Sequence, residues 1–305
     1  MSAALGGTWF VLPTPFHPDG SLDLDSQARL VDAAVSWGVD GLTALGVTSE
    51  AGELAPDERD AALDAVAGAA AGRVPLVVGC SASSADRAAE LIRRAHRAGA
   101  VGAMVSAPPG TPDPRAVPAF FKAVSRAGLP IVIQDEPAAT GIRLDVPTLL
   151  RCVSAASART VKLEDPPTAP KIAALLAEDP DLRIFGGLGG IAALSELRRG
   201  ACGTMTGFAF PEILRAIRER LAAGDPEAAS RIFDRYLPLI QFEGQPGVGL
   251  AVRKELLHRR GAISSPTTRR GMAIDPVILE ELDDVLSRVG LRPAPGPVEL
   301  RGGEV

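Results

Sequence analysis

Ser84-Ala85-Asp86-Arg87-Ala88-Ala89-Glu90-Leu91-Ile92-Arg93-Arg94-Ala95-His96-Arg97-Ala98-Gly99-Ala100-Val101-Gly102-Ala103-Met104-Val105-Ser106 encodes a helix, a stop and a strand in succession. Ser84 carries a side-chain oxygen suited to an N-cap. Ala88, Leu91, Ile92 and Ala95 recur every three or four residues and form one apolar stripe. Gly99 can end the helix in the left-handed conformation, which costs other residues more. The run from Gly102 is apolar without alternation, as in a strand covered on both faces.

The same punctuation recurs on both sides. Gly38-Val39-Asp40-Gly41 and Gly200-Ala201-Cys202-Gly203 repeat the Gly99 to Gly102 pattern, a helix stop followed by the entry to a strand. Apolar runs begin at Thr8 (TWFVL), Gly41 (GLTALG), Pro75 (PLVVGC), Gly102 (GAMVS), Pro130 (PIVIQ), Thr160 (TVKLE), Arg183 (RIFGG) and Ala201 (ACGTMTG), with amphipathic stretches between them. Alternating units of this kind predict an α/β chain folded as a (β/α)8 TIM barrel. An open doubly wound sheet is the alternative architecture, but no dinucleotide fingerprint accompanies it. We assign residues 1–223 to the barrel, with Pro211 to Ala223 as its last helix. Helical patterns at Pro226 to Phe242, Gly249 to Arg260 and Pro276 to Val289 form a C-terminal helical extension over 224–290. Residues 291–305, with three prolines between Arg292 and Val298, read as a flexible tail.

The chain has 305 residues, is 46% hydrophobic and carries a net charge of -5 with acids and bases mixed. No basic face stands out, so nucleic acid is not an expected partner. The apolar runs are too short to span a bilayer, and the N-terminus shows no secretory pattern, so a cytoplasmic protein without membrane contact is expected. Cys80, Cys152 and Cys202, like His17, His96 and His258, are scattered. They predict neither a disulfide framework nor a metal site.

In a barrel of this kind the active site lies at the C-terminal ends of the strands. The sixth run places a lysine inside an apolar strand, Thr160-Val161-Lys162-Leu163-Glu164. A buried Lys tends to shed its proton and become a nucleophile able to form an imine; a snorkelling Lys at a strand end is the plainer reading. Alternation puts Lys162 and Glu164 toward the interior when Val161 and Leu163 face the helices. The fifth run ends Gln134-Asp135-Glu136-Pro137, with Gln134 and Glu136 sharing a face. In Gly46-Val47-Thr48-Ser49-Glu50, hydroxyls and backbone amides could cradle a carboxylate, or could simply satisfy a local turn. Gly186-Gly187-Leu188-Gly189-Gly190 permits close approach of a ligand and keeps a phosphate site open as a second reading.

Taken together, these segments resemble the dihydrodipicolinate synthase/N-acetylneuraminate lyase family of class I pyruvate aldolases. Pro13-Thr14-Pro15-Phe16 with Asp19-Gly20, Gly38 to Leu42, Gly46 to Glu50, Pro137 with Thr140-Gly141, and Lys162 carry the resemblance in order. It implies a TIM barrel, a homotetramer or dimer, and pyruvate or another 2-oxo acid held as an imine on Lys162 with no separate cofactor. It also implies that Thr48 holds the substrate carboxylate. This chain departs from the family pattern at the residues that move protons. Val47 replaces the first Thr of a Thr-Thr pair, Gln134 stands where a Tyr is usual, and Pro108-Pro109-Gly110 replaces Pro-Tyr-Tyr. Tyr236 is the chain's one tyrosine. Ala138 and Ala139 occupy the stretch where the synthases have an Arg.

The expected function is therefore a Schiff-base-forming aldolase, lyase or hydro-lyase acting on a 2-oxo acid, and not the lysine-pathway synthase. Lys162, Glu164 and Glu136 are the expected catalytic residues. Thr48, Ser49, Val47, Gln134, Gly187 and Met205 are the expected substrate contacts. A non-catalytic or regulatory small-acid-binding barrel that has lost turnover and a phosphate-ligand barrel enzyme without imine chemistry are the alternatives.

Overall fold

The computed structural model describes residues 5–271, 273–298 and 300. Eight parallel strands close into a barrel in sequence order: β1 (Gly7–Val11), β2 (Gly41–Ala44), β3 (Leu76–Gly79), β4 (Gly102–Ser106), β5 (Ile131–Asp135), β6 (Thr160–Leu163), β7 (Arg183–Gly186) and β8 (Gly203–Thr206). Around them run α1 (Leu24–Ser36), α2 (Pro56–Ala70), α3 (Ala85–Arg97), α4 (Val117–Val124), the single turn α5 (Pro137–Thr140), α6 (Val146–Ala156), α7 (Thr168–Glu178), α8 (Ala193–Arg198) and α9 (Pro211–Ala222). Three more helices follow, α10 (Pro226–Glu243), α11 (Gly249–Arg259) and α12 (Pro276–Val289). The TIM barrel with C-terminal helices read from the sequence is thus observed.

The local rules hold in α3. Ser84 accepts a hydrogen bond from Arg87 N, and Gly99 takes φ +84° one residue past the helix cap. Ala88, Ile92 and Ala95 are fully buried against the sheet.

Two apolar layers hold the barrel. The outward side chains of the strands, including Ile131, Ile133, Val161, Leu163 and Ile184, pack under the helices. Inside, Trp9, Val11, Val77, Met104, Val132, Phe185 and Met205 form a plug. Trp9 meets Phe185 edge-on at 6.0 Å between ring centres. This plug makes the lower interior a packed core, not a pore. It also raises the floor on which a substrate can sit.

Within the stretch expected to be a loose tail, residues 291–298 lie against the barrel. Gly296 O accepts hydrogen bonds from Trp37 Nε1 (3.1 Å) and Arg260 Nη2 (2.8 Å), and Val298 N donates to Glu212 Oε1 (3.0 Å). The Pro-rich composition removes helix and strand but leaves carbonyls free to be captured by buried donors. Residue 299 and residues 301–305 lie outside the described residues.

Candidate active site

β5 and β6 run in register, with Gln134 beside Lys162. Glu164 N donates to Asp135 O at 2.9 Å, so the pairing continues one residue beyond β6 and keeps Glu164 on the face of Lys162. With Val161 and Leu163 turned to the helices, Lys162 and Glu164 face inward, as the alternation requires. Lys162 Nζ lies 3.2 Å from Glu164 Oε1, and both residues are buried, at 5% and 9% exposure.

Gln134 links two carboxylates. Its amide nitrogen donates to Glu164 Oε2 at 2.7 Å and to Glu136 Oε2 at 2.8 Å. One NH2 group thus places each of its hydrogens on a different acid. Glu136 is pushed up to about 7, first by its own desolvation and then by the neighbouring Glu164 charge, with Lys162 and Arg270 pulling the other way. Both effects disfavour a second negative charge in one small site. Pro137 starts the turn α5 directly after Glu136, yet Glu136 still reaches the cavity.

That cavity has a volume of about 560 Å³, and Thr48, Glu136, Lys162, Glu164, Gly187 and Arg253 are among its walls. Thr48 Oγ1 is buried without a hydrogen-bond partner among the described residues. A buried hydroxyl left unpaired costs free energy, so its acceptor or donor is expected from a ligand. The loop carrying it is bracketed by two left-handed residues other than glycine, Leu45 (φ 55°) and Glu50 (φ 52°). Such conformations persist where surrounding contacts impose them. Here the contacts are at Glu50, which accepts from Lys254 Nζ (2.5 Å) and from the backbone N–H groups of Arg269 and Arg270 (2.7 Å each).

Gly187 is required by its neighbour. A Cβ there would sit 2.4 Å from Glu164 Cγ, and one on Gly186 would sit 1.8 Å from Glu196 Oε2. Two carboxyl groups therefore back the glycine loop after β7, Glu164 paired with Lys162 and Glu196 pushed up to about 7 by its burial, and neither offers a donor cation to a phosphate.

Three of the expected substrate contacts are placed differently. The Ser49 hydroxyl donates to Leu12 O at 2.5 Å and Ser49 is buried, so it satisfies a strand-end carbonyl instead of facing the cavity. Met205 belongs to the apolar plug beneath the cavity, packed in the barrel interior with Trp9 and Phe185, and the next residue, Thr206, lines the cavity instead. Gln134 holds the two glutamates and does not line the cavity itself. Val47, half-exposed, is at the rim.

Sequence reading missed Arg253 and Glu243. Arg253 in α11 donates through Nε to Glu243 Oε1 at 2.6 Å, and Ala209 N donates to Glu243 Oε2 at 2.9 Å. Burial raises the Glu243 carboxyl, and Arg253 opposes the shift. One signal was available. Tyr236, Leu239, Ile240 and Glu243 recur every three or four residues, so the buried stripe of α10 ends in an acid. Arg253 gives no such signal, because α11 is buried on nearly every side and has no polar face against which to stand out.

Residues 4–287 match the model of the dihydrodipicolinate synthetase family. The L-2-keto-3-deoxyarabonate dehydratase of Azospirillum brasilense is 34% identical over 276 residues, covering 87% of this chain and 88% of that protein. The 4-hydroxy-tetrahydrodipicolinate synthase of Acidobacterium capsulatum is 34% identical over 81% of this chain and 85% of its own length. The crystal structure of dihydrodipicolinate synthase from Rhodopseudomonas palustris superposes with a TM-score of 0.88 at 34% identity, covering 93% of this chain and 97% of that one. The chain therefore belongs to the dihydrodipicolinate synthetase family, and it is a lyase of the aldolase kind.

Proposed function

We propose that the chain is a hydro-lyase for 4-hydroxy-2-oxo acids of the 3-deoxy sugar acid class, working through an imine on Lys162. The observation that carries this reading is the pairing of Lys162 with Glu164, which shares one amide clamp with Glu136, beside a cavity, with no tyrosine within the chain's barrel. The name of the Azospirillum brasilense relative supports dehydration over condensation.

The Lys162 amine adds to the C2 carbonyl, and loss of water gives the imine. Glu164, 3.2 Å from Nζ, carries protons for that dehydration. The imine makes the C3 hydrogen acidic. A carboxylate removes that proton, and the electron pair moves into an enamine. The enamine then expels the C4 hydroxyl, which takes a proton and leaves as water. Glu136 suits this last transfer, because an acid pushed up to about 7 is still partly protonated at neutral pH. Thr48 Oγ1 and the loop amides receive the C1 carboxylate. Hydrolysis of the conjugated imine frees Lys162 with no external cofactor. We place the enzyme in the cytoplasm as a homo-oligomer, a tetramer or dimer, on the family resemblance.

Borohydride reduction with pyruvate, followed by peptide mass spectrometry, tests the imine. Reduced pyruvate on Lys162 is the expected adduct. Its absence overturns the imine on Lys162. The phosphate-ligand reading loses support because the glycine loop after β7 is backed by Glu164 and Glu196.

A further inference from the structure

The barrel's closed order sets two axes across the cavity. β6, with Lys162, stands opposite β2, whose following loop carries Thr48. β5, which leads to Glu136, stands opposite β1. Arg253 lies over that opposite side. A Cβ on Gly207, just after β8, would sit 2.8 Å from Arg253 Nη1 and 3.0 Å from Val11 O of β1. Glycine at 207 thus opens the space that the guanidinium fills, at a wall the Lys162–Thr48 pair does not use.

Arg253 is held for this position. It is 7% exposed and Glu243 is 1% exposed. Both carboxylate oxygens of Glu243 are engaged, one by Arg253 Nε and the other by Ala209 N. This fixes one edge of the guanidinium, and Arg253 still lines the cavity. An Arg fork so anchored presents its remaining N–H groups in the planar geometry that fits a carboxylate. The cavity, at about 560 Å³, lies in the size range of pockets for ligands well beyond a three-carbon acid.

We propose that Arg253, set by Glu243, is a specificity-determining residue that recognises a second carboxylate at the end of the substrate remote from its keto group. The site rests on the imine reading above and deepens it. The substrate is then the dicarboxylic kind of that class, a 4-hydroxy-2-oxo acid with a carboxylate at each end, its C1 carboxylate at Thr48 and its far carboxylate at Arg253.

The test compares 2-oxoglutarate with 2-oxopentanoate, which share a chain length and differ at the far end. Trapping at Lys162 is titrated with each acid in the full-length protein. The wild type is expected to bind 2-oxoglutarate roughly 10-fold or more tightly than 2-oxopentanoate, the range of a hydrogen bond to a charged group. Arg253→Gln is expected to bring the ratio near one, and Arg253→Lys to leave it between. Because Arg253→Gln strands a buried carboxylate, the double variant Arg253→Met/Glu243→Gln removes both charges and gives the same readout in a fold without that penalty. A ratio near one in the wild type overturns the proposal, as does a ratio unchanged in the double variant. Equal weakening of both acids also overturns it, since Arg253 would then read the carboxylate they share. Pyruvate trapping reports the imine separately. If pyruvate is not trapped, calorimetry with glutarate against pentanoate, in wild type and double variant, gives the same ratio without a keto group.

Discussion

Two lysines are withdrawn from solvent in this molecule, and they have different consequences. Lys162 is 5% exposed and Lys254 is 0% exposed. Each faces a glutamate, Glu164 at 3.2 Å and Glu50 at 2.5 Å. Lys254 is also hydrogen-bonded to Thr267 O at 2.8 Å and stands 4.3 Å from the centre of the Phe16 ring. Its ammonium is enclosed on all these sides by the protein. Lys162 has a cavity beside it and a carboxylate that is itself shared with Gln134. Burial alone therefore does not make an amine a nucleophile; space for a carbonyl next to it does. Burial lowers Lys254 to about 8, with Glu50 opposing the shift, yet no substrate can approach it.

The sharpest way to break this comparison is to remove each amine. Lys162→Ala is expected to lower turnover by ~10³-fold or more and to abolish borohydride trapping, with the circular dichroism spectrum unchanged. A trapped adduct in this variant, on Lys254 or elsewhere, would remove the distinction. Lys254→Met is expected to act on stability instead. It leaves Glu50 buried with only backbone donors, a loss of about 3–5 kcal/mol when one partner of a buried pair goes. Urea denaturation measures it, and the folded fraction should still be trapped at Lys162. Loss of trapping with undiminished stability would make Lys254 part of the chemistry.

The contrast also explains what could be read from the chain. Lys162 was legible because a strand has period two, so Val161 and Leu163 fix the side on which Lys162 must point. The barrel was legible because glycines 38, 99 and 200 end helices at matching places, and Gly38, Gly99 and Gly200 do take positive φ. Lys254 was not legible. Val252, Arg253, Lys254, Leu256 and Leu257 are all buried, so α11 offers no polar face from which a buried charge could be told. Its partner Glu50 is 204 residues away in sequence, and only the closed barrel brings them together. Ser49 failed for a related reason. A hydroxyl in a turn can serve a ligand or a carbonyl, and only the fold shows that Leu12 O lies within reach.

A smaller effect is expected at the acid that faces Lys162. Glu164→Gln keeps the shape and removes the charge beside Nζ. Turnover is expected to fall by ~10²-fold with the circular dichroism spectrum unchanged. Steady-state kinetics that leave kcat unchanged would exclude Glu164 from proton transfer and leave Glu136 as the carrier.

The smallest effect is on pH, and it separates Glu136 from the rest of the cluster. Its carboxyl ordinarily titrates near 4.5 and is pushed up to about 7 in the folded chain. Between those values the folded state holds a proton that the unfolded state has lost. The contribution of Glu136 to stability is therefore complete below 4.5, declines as pH rises, and is gone above about 7. Glu136→Gln should flatten that part of the stability profile while the slope below 4.5 stays. In the activity profile, a proton donor at Glu136 predicts a fall through about pH 7, because the ionised acid cannot protonate the departing hydroxyl. Glu136→Gln should remove this limb as well as lower the rate. A limb near 7 that survives the substitution would assign the titration to another group, and the clamp at Gln134 would then serve Glu164 alone.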